Sequence, residues 1–280
     1  MSASVFVVQF PHPGGERILR HGDRMPWNTG DHGRKFLLSA GRSLDSQEQA
    51  RGKPLVFWGE WEAPSWVVER WPREGQLPRA LQVPVWERPP TSNYRLNTDP
   101  WVFGEAFRYS NCKQLTSYKN PSALQELTPG SVILFGSKLR GEFVLDTVFV
   151  VEEAECYAPH HPPETDEAFR VCTIESLTTD GSGEYRFTLY RGATFDKPMK
   201  GMYSYVPCRD AARPDARFAR PTVSLPGYIN PASGQSPSGA KSRLTIEQAF
   251  QQWDSVREQV LLARCELGVS FETPRLEGSA

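Results

Sequence analysis

The sequence predicts an α+β protein in which strands dominate and one amphipathic helix lies near the C-terminus. The chain has 24 prolines and 22 glycines in 280 residues, which favours many turns and short strands over a helical bundle. Its apolar residues lie in short runs rich in β-branched and aromatic side chains. Helical spacing of apolar residues over several turns begins at Thr245.

Length and charge limit the domain organisation and the partners. A chain of 280 residues fits one β-rich domain with insertions or two small domains. We take the single domain, with a core over about 54–207 and a packing helix at about 245–267. The 32 basic and 33 acidic side chains nearly cancel, which excludes an indiscriminate binder of nucleic acid or membranes and leaves a local basic patch as the alternative.

The location of the protein is predicted from what the sequence lacks. No apolar run approaches membrane-spanning length, and the N-terminal residues do not resemble a signal peptide. The five cysteines are an odd number without a C-x-x-C pair, which is typical of free thiols in a reducing compartment. We therefore expect a cytoplasmic protein that does not bind membranes.

The N-terminal hundred residues alternate between apolar runs and long polar stretches. Residues 4–10 predict a strand, and the prolines and glycines of 11–15 predict a tight turn directly after it. A polar, glycine-rich stretch then runs to about Arg34. Residues 54–61 predict the next strand, and 71–100 predict a long loop that packs over a pocket or on a partner.

The best-defined element is a pair of neighbouring strands within residues 128–153. A helical turn at 121–127, capped by Ser122, precedes it. Residues 131–135 and 142–151 are apolar almost throughout and are joined by a hairpin-like connection. Continuous apolar character predicts that both faces of these strands are buried.

The C-terminal part contains two predicted strands and the helix. The strands lie near 169–176 and 185–190 and are joined by a glycine-rich turn at 179–183. Residues 209–242 are rich in proline, arginine, glycine and serine and predict irregular chain. In the helix, Thr245 and Gln248 match a capping box at the start, and Gly268 matches a helix end. We interpret this helix as structural.

Cys112 is the first candidate for a catalytic residue. A thiolate nucleophile needs a nearby cation or base, and Lys113, Asp146 and Glu60 can supply the charges. The neighbouring amides that can donate to a developing negative charge are Asn111 and Gln114. The alternative is a buried cysteine that acts as a small hydrophobic residue.

Residues 58–62 combine aromatic and acidic side chains. Glu60 and Glu62 are two residues apart on one face of the predicted strand, beside the indoles of Trp58 and Trp61 on the other. Such a glutamate can act as acid or base, and the indoles can stack on a flat ring. The alternative is a pair of core tryptophans with glutamates at the rim.

The histidines His12, His21 and His32 lie near Asp23 and Asp31, and this residue set suits zinc, iron or manganese. Their spacing matches no motif that places two ligands on one face. We therefore predict exposed loop histidines, no metal and no other cofactor.

Arginines spaced through the proline-rich segment form the best local basic patch. They are Arg209, Arg213, Arg217 and Arg220. These side chains can contact successive phosphates of a nucleic-acid backbone. The alternative is a solvated loop with dispersed arginines, which would have the same sequence pattern.

Three segments together resemble a known group of folds. They are residues 111–114 (Asn-Cys-Lys-Gln), 129–136 and 143–150. Over about 40 residues they resemble small β-barrels of the PUA, ASCH and EVE type, and most closely the nucleotide-modification-associated domains, although Ser131 replaces the acidic residue usual there. The resemblance implies a barrel with a pocket for a nucleobase, often a modified one, flipped out of nucleic acid.

From this resemblance we predict a protein of a bacterial DNA-modification or phage-defence system. Its partners would be DNA or a nucleotide, and other proteins of that system. Trp58 and Trp61 would stack on the base, and Glu60 and Asp146 would contact its edge or shuttle protons. The other base-binding residues would be Asn111 and Gln114, and phosphates would be held by Arg209, Arg217 and Arg220.

The sequence leaves the chemistry open between an enzyme and a reader. In the enzymatic version Cys112 attacks a nitrile on a 7-deazaguanine, and water completes hydration to the amide. The alternative is a reader module without chemistry. A second alternative is an enzyme similar to ADP-ribosyltransferases, suggested by residues 190–192 (Tyr-Arg-Gly), although the other motifs of those enzymes do not follow.

Overall fold

The computed structural model describes residues 5–89, 94–178, 184–233 and 243–278. The strands are β1 (Val7–His12), β2 (Arg24–Met25), β3 (Arg34–Leu44), β4 (Ala50–Glu60), β5 (Ser65–Arg70), β6 (Ala80–Trp86), β7 (Arg108–Tyr109), β8 (Val132–Leu139), β9 (Glu142–Tyr157), β10 (Phe187–Gly192), β11 (Val206–Asp210), β12 (Glu266–Phe271) and β13 (Arg275–Leu276). The helices are α1 (Glu167–Phe169) and α2 (Ile246–Leu262), with shorter helical turns at Ala123–Gln125, Arg170–Ile174 and Glu175–Thr178. The predicted dominance of strands is confirmed.

The first sheet has five strands in the order β1-β8-β9-β10-β7. Its edge strand β1 runs parallel to β8 and continues through Pro11 to His12, which lies opposite Ser137. The predicted turn directly after Phe10 is therefore wrong. Proline is tolerated here because β1 is an edge strand and its outer side needs no ladder hydrogen bond.

The predicted strand pair within 128–153 is confirmed as β8 and β9, which are antiparallel. Arg140 and Gly141 form the turn between them with φ angles of 53° and 86°, as a two-residue hairpin turn requires. Both strands extend further than predicted, so this turn is shorter than the expected connection. Alternate residues of β8 belong to two different hydrophobic clusters, so both faces of the pair are covered.

The second sheet has eight strands, ordered β12-β11-β4-β3-β6-β5-β2, with β13 added beside β6. Its central strand β3 pairs with β4 along one side and with both β6 and β12 along the other. The pairings among β3, β4, β11 and β12 therefore form a closed cycle. A PUA-like barrel stays a prediction.

Of the strands in this sheet, β4 was predicted from the sequence and the others were not, and β3 and β6 are the most informative of these. Strand β3 was hidden because its middle is polar and only partly buried. Strand β6 lies inside the predicted loop 71–100, although its residues alternate between buried and half-buried positions. Pro84 within it suggested a loop, because proline cannot donate to a strand ladder.

The predicted strand at 169–176 is wrong, since the chain there is helical from Glu167 to Thr178. Asp166 caps this segment by accepting a hydrogen bond from the Phe169 backbone N–H at 2.8 Å. Short apolar runs fit a buried strand and a buried helix equally well, which explains the error. The predicted turn at 179–183 lies outside the described residues.

The C-terminal helix α2 is confirmed together with its capping box. The Gln248 backbone N–H donates to Thr245 Oγ1 at 3.3 Å, and Gln248 Oε1 accepts from the Thr245 backbone N–H at 2.9 Å. The helix ends at Leu262, not at Gly268, which lies in β12. In the described part of the chain, no helix has the length and apolar character needed to cross a membrane.

A glycine in β8 allows two backbones to approach closely. A Cβ atom added at Gly136 would lie 2.3 Å from the Val144 carbonyl oxygen and 2.6 Å from the Phe143 ring. We expect Gly136→Ala to lower the free energy of unfolding by about 1–3 kcal/mol, because backbone and core must shift to make room. Urea unfolding measures this change.

Gly52→Ala is the matched control, since Gly52 lies in β4 and a Cβ there meets nothing within 4 Å. We expect this control to unfold within about 0.5 kcal/mol of the wild type. Equal stability of both variants would contradict the close approach at Gly136.

Candidate functional site

Charged side chains from several strands meet in the interior and form what we call the buried charge cluster. Its members are His12, Arg34, Glu60, Asp146 and Arg220, each no more than 7% exposed. Arg34 and Glu60 lie directly opposite each other on β3 and β4. Charged groups removed from water are stable only when they are paired, so the contacts within the cluster decide whether this arrangement can exist.

The cluster is a chain of alternating charges centred on Glu60. Glu60 Oε2 accepts hydrogen bonds from His12 Nδ1 at 2.6 Å and Arg34 Nη1 at 2.5 Å. Arg34 Nε is also 3.3 Å from Asp146 Oδ2, and Arg220 Nη1 is 3.3 Å from Asp146 Oδ1. A cavity of about 10 Å³, roughly the space of one water molecule, is lined by His12, Arg34, Glu60 and Asp146.

The protonation states follow from the same contacts. Burial acts to raise the pKa of Glu60, but the charge of Arg34 and the contact with His12 outweigh it and hold the pKa well below its usual value. Burial, together with the charge of Arg34, lowers the pKa of His12. Glu60 is therefore a carboxylate and His12 a neutral donor at neutral pH.

Arg220 connects the cluster to the surface. Its guanidinium lies 5.1 Å from the ring centre of Trp58 and donates to Ser137 Oγ at 2.8 Å and the Gly14 carbonyl at 2.6 Å. These contacts fix the irregular segment after β11 against strand β8. Arg220 is thus both a partner of Asp146 and part of a surface groove.

A surface groove of about 420 Å³, which we call the arginine groove, lies above Arg220 and Trp58. Its other basic side chains are Arg73, Arg79 and Arg140. Arg79 pairs with Glu16 at 2.8 Å, whereas Arg73 and Arg140 make no hydrogen bond or ion pair with any described residue. Sequence reasoning missed this groove because its arginines come from separate loops.

A second group of polar residues lies on the other side of Glu60. His32 Nδ1 is 2.8 Å from Glu62 Oε1 and 3.4 Å from Glu60 Oε1. Burial acts to lower the pKa of His32, and its contacts with the carboxylates of Glu60 and Glu62 outweigh it and raise the pKa to about 10. The prediction of exposed histidines holds for His21 but is wrong for His12, which is buried.

No family model, curated protein or solved structure matches the chain. The resemblance to nucleotide-modification-associated domains therefore stays a prediction.

Cys112 lies within the electrostatic influence of Glu60 and Arg34, in surroundings that oppose a thiolate. Burial and the carboxylates of Glu60 and Asp99 raise the pKa of Cys112 well above its usual value, against the smaller effects of Lys113 and Arg34. A nucleophilic cysteine needs the opposite shift. The Cys112 backbone N–H donates to Asp99 Oδ2 at 2.7 Å, which gives this loop a structural constraint. The catalytic role of Cys112 stays a prediction.

The residues predicted to bind a base are used inside the protein. Trp58 and Trp61 are 4% and 0% exposed, and their indole N–H groups donate to the carbonyls of Phe218 and Pro64. Trp58 shares the face of Glu60 on β4, and Trp61 belongs to the other hydrophobic cluster, so the predicted division of faces is wrong. Stacking of a base on either ring would require the ring to leave the core.

The predicted amide donors also have internal partners. Gln114 donates to the Thr188 carbonyl and accepts from the Thr188 N–H, both at 2.7 Å. Asn111 donates to Ser110 Oγ and accepts from Asn97. These amides hold the loop after β7 in place and are not free for a ligand.

The predicted phosphate-binding arginines each contact protein groups. Arg209 pairs with Asp215 at 3.3 Å, and Arg217 pairs with Glu74 at 3.1 Å and lies over Trp71. Arg220 is buried in the cluster. Among the four arginines of the predicted patch, Arg220 is the one that lines the arginine groove.

Glu60 is the residue on which the cluster depends, and its loss gives a direct test. We expect Glu60→Gln to lower the free energy of unfolding by about 3–5 kcal/mol, because it leaves Arg34 buried without its main partner. Denaturant unfolding measures the change. Glu142→Gln, at an exposed strand position, is the control and should change stability by less than about 0.5 kcal/mol. A Glu60→Gln variant as stable as this control would contradict the proposed role of Glu60.

Lys35 gives a prediction for pH dependence. It is fully buried, with Nζ donating to the Ala63 carbonyl at 3.1 Å and Ser65 Oγ at 3.0 Å. Burial lowers its pKa from 10.5 to about 7. Between these values the unfolded chain holds a proton that the folded chain lacks, so this residue adds stability as pH rises.

We expect the stability difference between wild type and Lys35→Met to shift in favour of the wild type from pH 7 to 10. The slope should approach about 1.4 kcal/mol per pH unit, the linkage limit for one proton. Urea unfolding at a series of pH values measures it. Parallel stability curves for the two proteins would show that Lys35 does not titrate in this range.

Proposed function

We propose that the protein binds nucleic acid through the arginine groove and that it recognises a base in DNA without covalent chemistry. The observation that carries the proposal is the pair of exposed arginines, Arg73 and Arg140, which have no protein partner among the described residues. A guanidinium group presents a planar set of N–H donors that suits phosphate oxygens. Phosphate contacts of this kind supply most of the affinity for nucleic acid.

The charge around the groove supports an anionic ligand. Arg79 is paired with Glu16 and Arg220 with Asp146, so their charges are largely compensated. Arg73 and Arg140 leave two positive charges uncompensated at the groove. The chain as a whole carries a formal net charge of −1, so this positive surface is local.

The size of the groove fits a unit such as one nucleotide. Its volume of about 420 Å³ lies in the range of small-molecule sites, which is about 300–1,000 Å³. A protein that takes one base out of the stack binds such a unit together with its phosphates. A modified base and a role in a DNA-modification or phage-defence system are proposed from the resemblance noted in the sequence.

Binding is favoured over catalysis by the state of Cys112. Its raised pKa leaves a thiol where hydration of a nitrile would need a thiolate. Reading a base requires no such group. Cys112→Ala should therefore retain binding, whereas an enzyme that uses this thiol would lose its activity.

The proposal is tested with a fluorescein-labelled single-stranded DNA and fluorescence anisotropy at several salt concentrations. We expect wild-type binding that weakens with salt, and we expect the Arg73→Gln, Arg140→Gln double variant to bind at least tenfold more weakly. Each lost phosphate contact lowers the slope of log affinity against log salt by about 0.7, so the slope should fall by about 1.4. Duplex DNA and DNA with 7-deazaguanine in place of guanine are measured in parallel.

Arg264→Gln is the control, because Arg264 is exposed and lies outside the groove. It should bind as the wild type does. Failure of the wild type to bind any of these nucleic acids at 50 mM salt would refute the proposal. Equal affinity and salt slope in the double variant would place the binding site elsewhere and refute the role of the groove.

A further inference from the structure

In both Glu60 and Glu62, one carboxylate oxygen is held by neighbouring side chains and the other faces His32. Glu60 Oε2 is held by His12 and Arg34, and Glu62 Oε2 accepts from Asn28 Nδ2 at 2.5 Å. The remaining oxygens, both Oε1, lie 3.4 Å and 2.8 Å from His32 Nδ1. Three ligand atoms therefore face each other, one from the end of β4, one from just after that strand and one from the loop before β3.

Glu60 Oε1 is buried without a hydrogen bond in the described structure. The side chain of Glu60 is 1% exposed and that of Glu62 is 0% exposed, so bulk water does not compensate this oxygen. The Nδ1–H of His32 is a single donor. Because Nδ1 is closer to Glu62 Oε1 than to Glu60 Oε1, it donates its hydrogen bond to Glu62. An unpartnered buried carboxylate oxygen is costly, which indicates a missing partner between the three groups.

We propose that His32, Glu60 and Glu62 bind a divalent transition-metal ion. Their ligand atoms all lie within 4.8 Å of one another, close enough for one ion to contact all three. One imidazole nitrogen with two carboxylate oxygens is a donor set that suits zinc, iron or manganese. A single ion satisfies both Oε1 atoms, which one N–H cannot do.

The surroundings have the features of a metal site beyond the ligands themselves. Metal-binding carboxylates are commonly held by hydrogen bonds to neighbouring groups. His12 and Arg34 provide this for Glu60, and Asn28 provides it for Glu62. Asn28 is itself fixed, since its side chain donates to the Asp31 carbonyl at 2.9 Å and accepts from Arg17.

The site has a route to solvent and room for further ligands. The side chain of His32 is 28% exposed, whereas both carboxylates are buried. Three protein ligands leave coordination positions open on the side of His32. The site is separate from the arginine groove and does not depend on nucleic-acid binding.

The experiment uses the full chain, treated with EDTA and then dialysed free of chelator. Isothermal titration with ZnCl₂ and loss of the free Mn²⁺ EPR signal on titration with MnCl₂ report the binding. We expect about one equivalent of at least one of these ions to bind. Pulsed EPR of the Mn²⁺ complex should show coupling to one imidazole nitrogen.

His32→Gln and Glu62→Gln should each weaken the affinity at least tenfold, with circular dichroism showing that the variants are folded. His21→Gln is the matched control, because His21 is an exposed histidine of the same stretch, and it should bind as the wild type does.

Absence of binding of both ions to the wild type would overturn the proposal. It would also be overturned by unchanged affinity in His32→Gln, or by an equal loss of affinity in His21→Gln. If the two site variants do not fold, the nitrogen coupling in the wild type decides, and a spectrum without it refutes the site.

Discussion

Pairing of buried charge around Glu60 is the constraint on which the rest of the structure depends. The carboxylate is removed from water, and Arg34 and His12 keep it ionised. These partners come from different sheets, since His12 lies on β1 and Arg34 on β3. The two sheets must therefore meet where these strands end. Asp146 and Arg220 extend the same pairing to β9 and to the segment after β11.

The parts of the fold that were predictable are those whose signal is local. The hairpin of β8 and β9 has two apolar runs around a short turn, and α2 has its capping box at Thr245 and Gln248. The missed parts depend on distant partners. Strand β3 has a polar middle and is a strand because β4, β6 and β12 all pair with it. Strand β4 follows β3 directly, but β6 and β12 lie further along the chain, outside any local sequence window.

The site was predictable in composition but not in arrangement. Glu60, Asp146 and Arg220 were all selected as functional residues, and the structure places them in one connected cluster. The sequence did not show that they contact each other, because Arg220 lies far along the chain from Asp146. His32 was considered and set aside because histidine spacing gave no motif. Its partners are Glu60 at the end of β4 and Glu62 just after that strand. The structure shows these contacts between segments, and the spacing of histidines along the chain does not.

The closed cycle of β3, β4, β11 and β12 has a consequence for how the chain reaches its fold. Strand β12 lies more than two hundred residues beyond β3, yet it pairs with it directly. Pairings of such high sequence separation require large loops to close and are formed slowly. A ribosome must synthesise the chain as far as Phe271 before the cycle can be completed. Until then β3 and β11 expose edges that β12 will later cover, and such unpaired edges make the incomplete chain prone to aggregation.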